Sequence, residues 1–460
     1  MATDDMRDQV SELAERVRGP VLLPDQEGFE EELSGFQAGY RHQPAVVVGA
    51  ETAEDVRAAV RFAVTHGMAV AVQSTGHGVT VLDEGGVLIS TKRMHDVTVD
   101  PESRSARIQA GARWEQVVAA AEPHGLVPPS GSAGHVGVAG YTLAGGLGLL
   151  AREIGYAADH VRAIDVVTAD GELRRVTADS ESDLFWALRG GRDNFGVVTS
   201  LEIALHPVER IYGGGIFFGS EHAEKILDFF QEWTSQVPEA MTSSVGMIGY
   251  PPIPVFPEPL RGRHVVHVRF ATTDLKRGPE LVRPWLDVAP TLLEHLGELP
   301  YSEAGSIYRE PNFAHYYDGN SVLLSELNAQ ILEAVRELAG AEAQVPCVVD
   351  LRHLGGALSR PPAVANAVSF RNAQYILRVL SGPDDAVGLG EVRAAHDRID
   401  KAVEPWTIGR ALNFVYGMRA ADDFRSELYE EAVLARLSAL KAHYDPSNVF
   451  RRNQNIEPAV

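Results

Sequence analysis

Three small-residue segments hold the side chains and exposed backbone that could do chemistry. Ala71-Val-Gln-Ser74-Thr75-Gly76-His77-Gly78 runs from a β-rich stretch straight into a loop carrying two hydroxyls and one imidazole. Glycines concentrate again between Gly131 and Gly148 and at the pair Gly190-Gly191. Backbone N–H groups reach a phosphate only where no Cβ blocks the approach, so such loops can hold an anion with amides and hydroxyls alone. His77 is one of 16 histidines; taken alone it reads as a satisfied structural imidazole, and only its loop makes it a candidate for chemistry.

One further pattern, Gly146-Leu-Gly148-Leu-Leu-Ala151, fits the G-x-G-x-x-A form of the dinucleotide fingerprint, with Asp170 downstream for a ribose contact. That fingerprint must open from a buried strand. Gly140-Tyr-Thr-Leu-Ala-Gly145 reads instead as a small-residue helix or loop, so no nicotinamide cofactor is expected.

The elements that must position these loops belong to an ordinary globular chain. Its 460 residues are 45% hydrophobic and 23% charged, enough for two domains or one large composite domain, and disorder is excluded. With 41 basic and 63 acidic residues the net charge is −22, which repels a polyphosphate backbone, so no nucleic-acid partner is expected. Cys347 is the single cysteine, which excludes an internal disulfide and a cysteine-rich metal site; no metal is expected. The acidic start and the lack of any run of ~18 apolar residues lead to an expectation of no membrane span and a cytoplasmic location. Oligomeric state is not legible.

From Ala45 to about Pro207, short β-rich runs alternate with helical ones. Ala45–Val48, a helix around Val56, Ala59, Val60 and Ala63, and Ala69–Val72 read as a βαβ unit. Val87–Thr91, Val97–Asp100 and Ala106–Gln109 suit a meander. Strands over Ile164–Thr168 and Leu173–Val176, a helix from Asp183 with Trp186 in the core, and a strand from Val197 follow. Beyond Tyr212, helical patterns over Glu221–Ser235, Ser321–Leu338 and Asp385–Val403 separate strands such as His264–Ala271 and Tyr375–Leu380. This predicts a second sheet covered on one face by helices, and an α+β fold.

Several ordered motifs resemble one family. Between Pro44 and Pro207 they are Ser74-Thr-Gly-His77, Asp100-Pro101 with Arg107 and Ala110-Gly-Ala112, Val136 to Gly148, Asp165 to Gly171, and Asp183 to Gly191 with Asn194-Phe-Gly-Val-Val198. Tyr444-Asp-Pro-Ser-Asn448-Val-Phe450 and Asn453-Gln-Asn-Ile-Glu-Pro458 agree near the other end. The chain resembles the berberine-bridge-enzyme-like FAD-linked oxidases of the vanillyl-alcohol oxidase / p-cresol methylhydroxylase (PCMH-type) superfamily. The resemblance implies an FAD-binding domain over 1–207 (PCMH-type part about 40–207), a substrate domain over 208–410, and a segment over 411–460 returning to the FAD domain.

Residue by residue, it implies that Ser74, Thr75, Gly76 and Gly78 hold the FAD pyrophosphate and that His77 binds the flavin 8α-methyl covalently. Ala133 stands where bicovalent members carry a linking cysteine, so a link through His77 alone is expected. Gly137, Gly140, Gly145, Gly148, Gly196 and Val198 match cofactor-lining positions, as do Asn413 and Asn453, and each glycine has a rival reading as a plain tight turn. The implied activity is hydride transfer from a substrate C–H, an alcohol carbon of a small molecule or secondary metabolite, to flavin N5, with O2 reoxidising the flavin. A dehydrogenase using another acceptor and a non-catalytic flavin-binding protein are the alternatives.

Many members place a tyrosine base where this chain has Phe414, which leaves the proton acceptor open. Tyr416 is the first choice: in a strand it would share a face with Phe414, and a nearby cation would lower its pKa. His135 and Tyr141, on the glycine-rich segment, are the reserves. Arg371, Tyr375 and Phe414 are the candidate substrate residues, with a salt bridge as the rival reading of Arg371.

Overall fold

The computed structural model describes residues 4–78, 85–416 and 424–460. The βαβ unit forms with one change. Strands Val46–Gly49 and Val70–Gln73 both run parallel to Val87–Ser90, which lies between them in a four-stranded sheet edged by Val21–Leu22. Helix Ala53–Thr65 starts at Thr52, whose hydroxyl accepts the Asp55 N–H at 3.2 Å. Val56, Ala59, Val60 and Ala63 then fall on one face and are buried against the sheet. Val70–Gln73 is an edge strand, so the Ser74–Gly78 loop leaves from its carboxyl end.

A five-stranded antiparallel sheet follows: Val97–Asp100, Ser105–Gln109, Val197–Ala204, Val161–Val167 and Leu173–Thr177, in that spatial order. It departs from a plain meander because Val197–Ala204 inserts between two earlier strands. Trp186 is buried in its core, from helix Ser182–Gly191.

The third sheet has eight antiparallel strands, in the order Thr291–Pro300, Arg210–Gly219, His264–Thr272, Met241–Gly249, Val348–His353, Tyr375–Ser381, Asp318–Leu324 and Thr407–Gly409. Alternation divides its faces. Phe218, Val245, Met247, Val268, Phe270, Leu351, Leu377 and Val379 pack under helices Ala223–Thr234, Ala329–Ala339 and Leu389–Val403. The helical pattern read over Ser321–Leu338 is therefore too long. Its first residues pair with Tyr375–Arg378 as a strand, and the helix begins only after Asn328, whose side chain caps the Ile331 N–H at 3.1 Å.

The last segment returns to the first part of the chain. Lys441 and Asp445, both fully buried, pair at 2.6 Å, and the Lys441 ammonium also donates to the carbonyls of Asn194 (2.6 Å) and Phe450 (3.1 Å). Asn194 in turn donates to Gln454 O at 3.2 Å and accepts the Ile456 N–H at 2.8 Å. Removing one member of such a pair leaves a buried charge uncompensated. Lys441→Met should therefore destabilise the protein by about 3–5 kcal/mol, read as a lowered urea midpoint, while an exposed pair such as Arg41–Glu30 can be broken with a far smaller shift.

Candidate functional site

The Ser74–Gly78 loop is held by its neighbours and left open where chemistry would occur. The N–H groups of Phe36 and Gln37 donate to the carbonyls of Thr75 (2.9 Å) and Gly76 (3.0 Å), and Gly76 sits at φ +70°. A Cβ there would stand 2.7 Å from Gly35, so only glycine allows this approach. Thr75 Oγ1 meets His77 Nδ1 at 2.8 Å and accepts the Gly137 N–H at 3.3 Å. The His77 ring packs on Phe36 at 4.0 Å and lies 5.0 Å from His135. Its Nε2 is buried with no partner, and burial pushes its pKa down to about 3, so the ring is neutral.

The glycine-rich segment forms the floor. Its short helix, Val138–Leu143, precedes Gly145 and Gly146, so no strand leads into the glycine pattern. Both are left-handed, and a Cβ on Gly146 would lie 2.5 Å from the Tyr141 ring. Asn413 ties the segment to the returning chain, donating to Tyr141 O at 3.0 Å and accepting the Gly146 N–H at 2.9 Å. The Tyr141 hydroxyl is buried without a partner, and burial holds its pKa well above the ordinary phenol value.

The uncovered face of the eight-stranded sheet forms the roof, and it is charged. Asp350 accepts from Arg269 at 2.8 Å and Arg352 at 2.6 Å, and Arg378 stands 3.5 Å away. Register explains the cluster: Gly246 is the cross-strand partner of Asp350 and of His267. A Cβ on Gly246 would lie 2.5 Å from Arg269, so the bare backbone lets the guanidinium cross to the carboxylate. Glu310 contacts Arg378 at 3.5 Å and accepts the Ser132 hydroxyl at 2.7 Å, joining roof to floor. Phe414 lies beneath, its ring 5.3 Å from Arg352 and 5.4 Å from Arg378.

Some expected residues meet here and others do not. Tyr416 does, with its hydroxyl 3.5 Å from Arg378, but residues 412–414 form a 3-10 turn and not a strand. The cation is present, yet burial outweighs it and the phenol's pKa is raised. His135 is half-buried and held neutral by burial, against the opposing pull of Glu310. Arg371 is engaged by Asp159 at 2.6 Å and by Asn366 at 3.0 Å, as a largely buried ion pair. Tyr375 points to the helix-covered face, where its hydroxyl meets Thr234 at 2.7 Å. Substrate contact is therefore not the role of either. Val198 is core, Gly196 admits the Val167 carbonyl, and Gly148 admits the Ser130 carbonyl. Asn453 keeps one buried oxygen without a partner, and Ala133 lies in the turn closed by Val136 N–H. Sequence reading missed Phe36, Ser132, Glu310 and the Asp350 cluster. The signal for the last was charge at alternate positions, Asp350-x-Arg352 and His267-x-Arg269, within otherwise apolar strands.

Residues 44–177 match the model of an FAD binding domain, and residues 408–457 match the berberine and berberine-like model. The chain is an FAD-linked oxidoreductase that carries an FAD binding domain and a berberine-like segment. It is 25% identical to an FAD-linked oxidoreductase of Dictyostelium discoideum, over 98% of this chain and 97% of the relative. It is 26% identical to (R)-6-hydroxynicotine oxidase of Paenarthrobacter nicotinovorans, over 96% and 97%. Among solved structures, a chitooligosaccharide oxidase superposes with a TM-score of 0.85 at 21% identity, covering 98% of this chain and all of that one, and shares the fold.

The loop of this FAD-linked oxidoreductase fits the cofactor. Ser74 Oγ and His77 Nε2 are buried and unpartnered, and no acceptor among the described residues meets the N–H of Thr75, Gly76, His77 or Gly78. Among the described residues, nothing would lie within 4 Å of a Cβ at Gly78 or Gly140, both of which are exposed.

The roof's charge cluster makes stability depend on acid. Burial alone would raise the Asp350 pKa, but Arg352, Arg269 and Arg378 together hold it far below the usual carboxylate range. The stabilisation is complete above the unfolded value, about pH 4, and is lost as pH falls toward the depressed folded value. Melting temperature should drop between about pH 5 and 3 in the wild type. In Asp350→Asn it should be lower at neutral pH, with a shallower acid slope.

Proposed function

We propose that the protein is an oxidase that takes a hydride from an alcohol carbon of a small molecule, with FAD attached through His77 alone and O2 as electron acceptor. The observation that carries the attachment is the buried, neutral and unpartnered Nε2 of His77, oriented through Nδ1 by Thr75. No thiol is available at Ala133, and Cys347 is buried in the core of the other sheet. Relatives named as oxidases support O2 as acceptor.

When bound, FAD supplies a hydride acceptor at flavin N5. The amides of Thr75 to Gly78 and the Ser74 hydroxyl would hold its pyrophosphate. The chain's own task in the reaction is the alcohol proton. Tyr416 and Tyr141 are kept protonated by burial, so neither phenol is ready to accept it. His135 is neutral, lies beside the His77 ring, and has the Glu310 carboxylate near enough to favour the imidazolium once a proton arrives. His135 Nδ1 or Nε2 takes the hydroxyl proton.

Acid precipitation should leave yellow flavin in the wild-type pellet and release it from His77→Ala; a colourless wild-type pellet overturns the attachment. Substrate turnover should release hydrogen peroxide, whereas turnover only with an artificial acceptor would mark a dehydrogenase. In anaerobic stopped-flow, His135→Gln should slow flavin bleaching by ~10²–10⁴-fold, as for a lost general base. Tyr416→Phe should slow it less. Because the His135 pKa is lowered, the wild-type rate should fall only as pH drops below the ordinary histidine value.

A further inference from the structure

The roof cluster contains three guanidinium groups, from Arg269, Arg352 and Arg378, against two carboxylates, from Asp350 and Glu310. One positive charge has no counterpart within it. Around it stand Tyr308, Tyr317, Tyr416 and His135, and burial keeps the last three neutral.

The surplus is localised. Arg269 and Arg352 take the short contacts to Asp350, at 2.8 and 2.6 Å. Among the described residues Arg378 has only polar contacts of 3.5 Å, to Asp350, Glu310 and the Tyr416 hydroxyl, and its Nε is buried without an acceptor. A charged donor left unmet in a desolvated site is costly, and a planar guanidinium is best met by a carboxylate. Arg378 also borders Phe414, whose neighbour Asn413 is tied to the glycine turn of the floor.

We infer that the substrate carries a carboxylate at the end away from the oxidised carbon, and that Arg378 is the specificity-determining residue that receives it. This rests on the oxidation proposed above, since it assigns the substrate class of that same site. One surplus positive charge matches a monoanion and not a phosphate dianion. Glu310 would face the incoming carboxylate, but Ser132 and Arg378 already engage it from two sides.

The test is calorimetric titration of the flavin-loaded protein with 4-(hydroxymethyl)benzoate, its methyl ester, and 4-(hydroxymethyl)phenyl phosphate. The carboxylate should bind roughly 10- to 100-fold more tightly than the ester, the worth of a charged hydrogen bond. Arg378→Met should abolish that preference and Arg378→Lys should keep part of it. Equal binding of acid and ester, no saturable binding of the acid, or tighter binding of the phosphate overturns the inference. So does a preference unchanged in Arg378→Met alongside a lowered flavin midpoint potential, which would mean that the cation serves the flavin. Should Arg378→Met not fold, the wild-type comparison decides alone. Peroxide release from neutral alcohols is measured in parallel. Peroxide without carboxylate preference leaves the oxidase standing and removes the anion site. Carboxylate preference with no peroxide from any alcohol does the reverse.

Discussion

A carboxylate buried among guanidinium groups sets the terms on which the eight-stranded sheet can present one face to a reaction. Asp350 is 1% exposed, and an isolated charge at that depth would cost several kcal/mol. Arg269 and Arg352 offset that cost: Arg269 crosses to the carboxylate where Gly246 places no Cβ in its way, and Arg352 stands two residues along the same strand. The opposite face needs no such device, since alternate residues are apolar and lie under three helices. One sheet therefore supplies both a conventional core and a polar roof. The price is that the roof must be satisfied by groups outside the sheet, namely Glu310 and Ser132.

That requirement links the roof to segments far apart in the chain. Ser132 sits on the loop before the floor helix, and Asn413 fastens the floor's glycine turn to the stretch carrying Phe414 and Tyr416. From the other side, Gln37 donates to Tyr317 O at 2.7 Å and Tyr40 to Asp318 at 2.7 Å, while Phe36 packs on His77 and His135. Together these contacts join the flavin loop to the large sheet through the segment carrying Phe36, Gln37 and Tyr40. The imidazoles are thus positioned by residues that precede the flavin loop by some forty positions, as well as by Thr75 beside them.

What could be read from the sequence follows the range of the forces involved. The strands Val46–Gly49 and Val87–Ser90, the helix after Thr52 and the loop at Ser74 rest on local patterns, and they were legible. The helix expected from Ser321 was placed too early because Ser-Val-Leu-Leu is compatible with either element; pairing with Tyr375–Arg378 decided it as a strand. Tyr375 and Arg378, three residues apart in one strand, face opposite sides as alternation requires; which of the two faces lies under helices is decided by tertiary packing, which local spacing does not report. Tyr416 illustrates a second limit: the cation expected near it is there, but the burial that opposes it belongs to tertiary packing.

The chain's net charge of −22 and the surplus cation within the roof act at different distances. At physiological salt, fields from exposed charges fade over about 8 Å, so the acidic surface governs approach and contributes little inside. Within the site, low dielectric strengthens each pair and each unmet donor alike. Anion selectivity in such a protein must therefore come from the bound complex and not from steering. The two anion-holding devices differ accordingly. In the proposed reading the Ser74–Gly78 loop would hold the cofactor with neutral amides and hydroxyls, whereas Arg378 would offer a single charge to a ligand that must leave after each turnover.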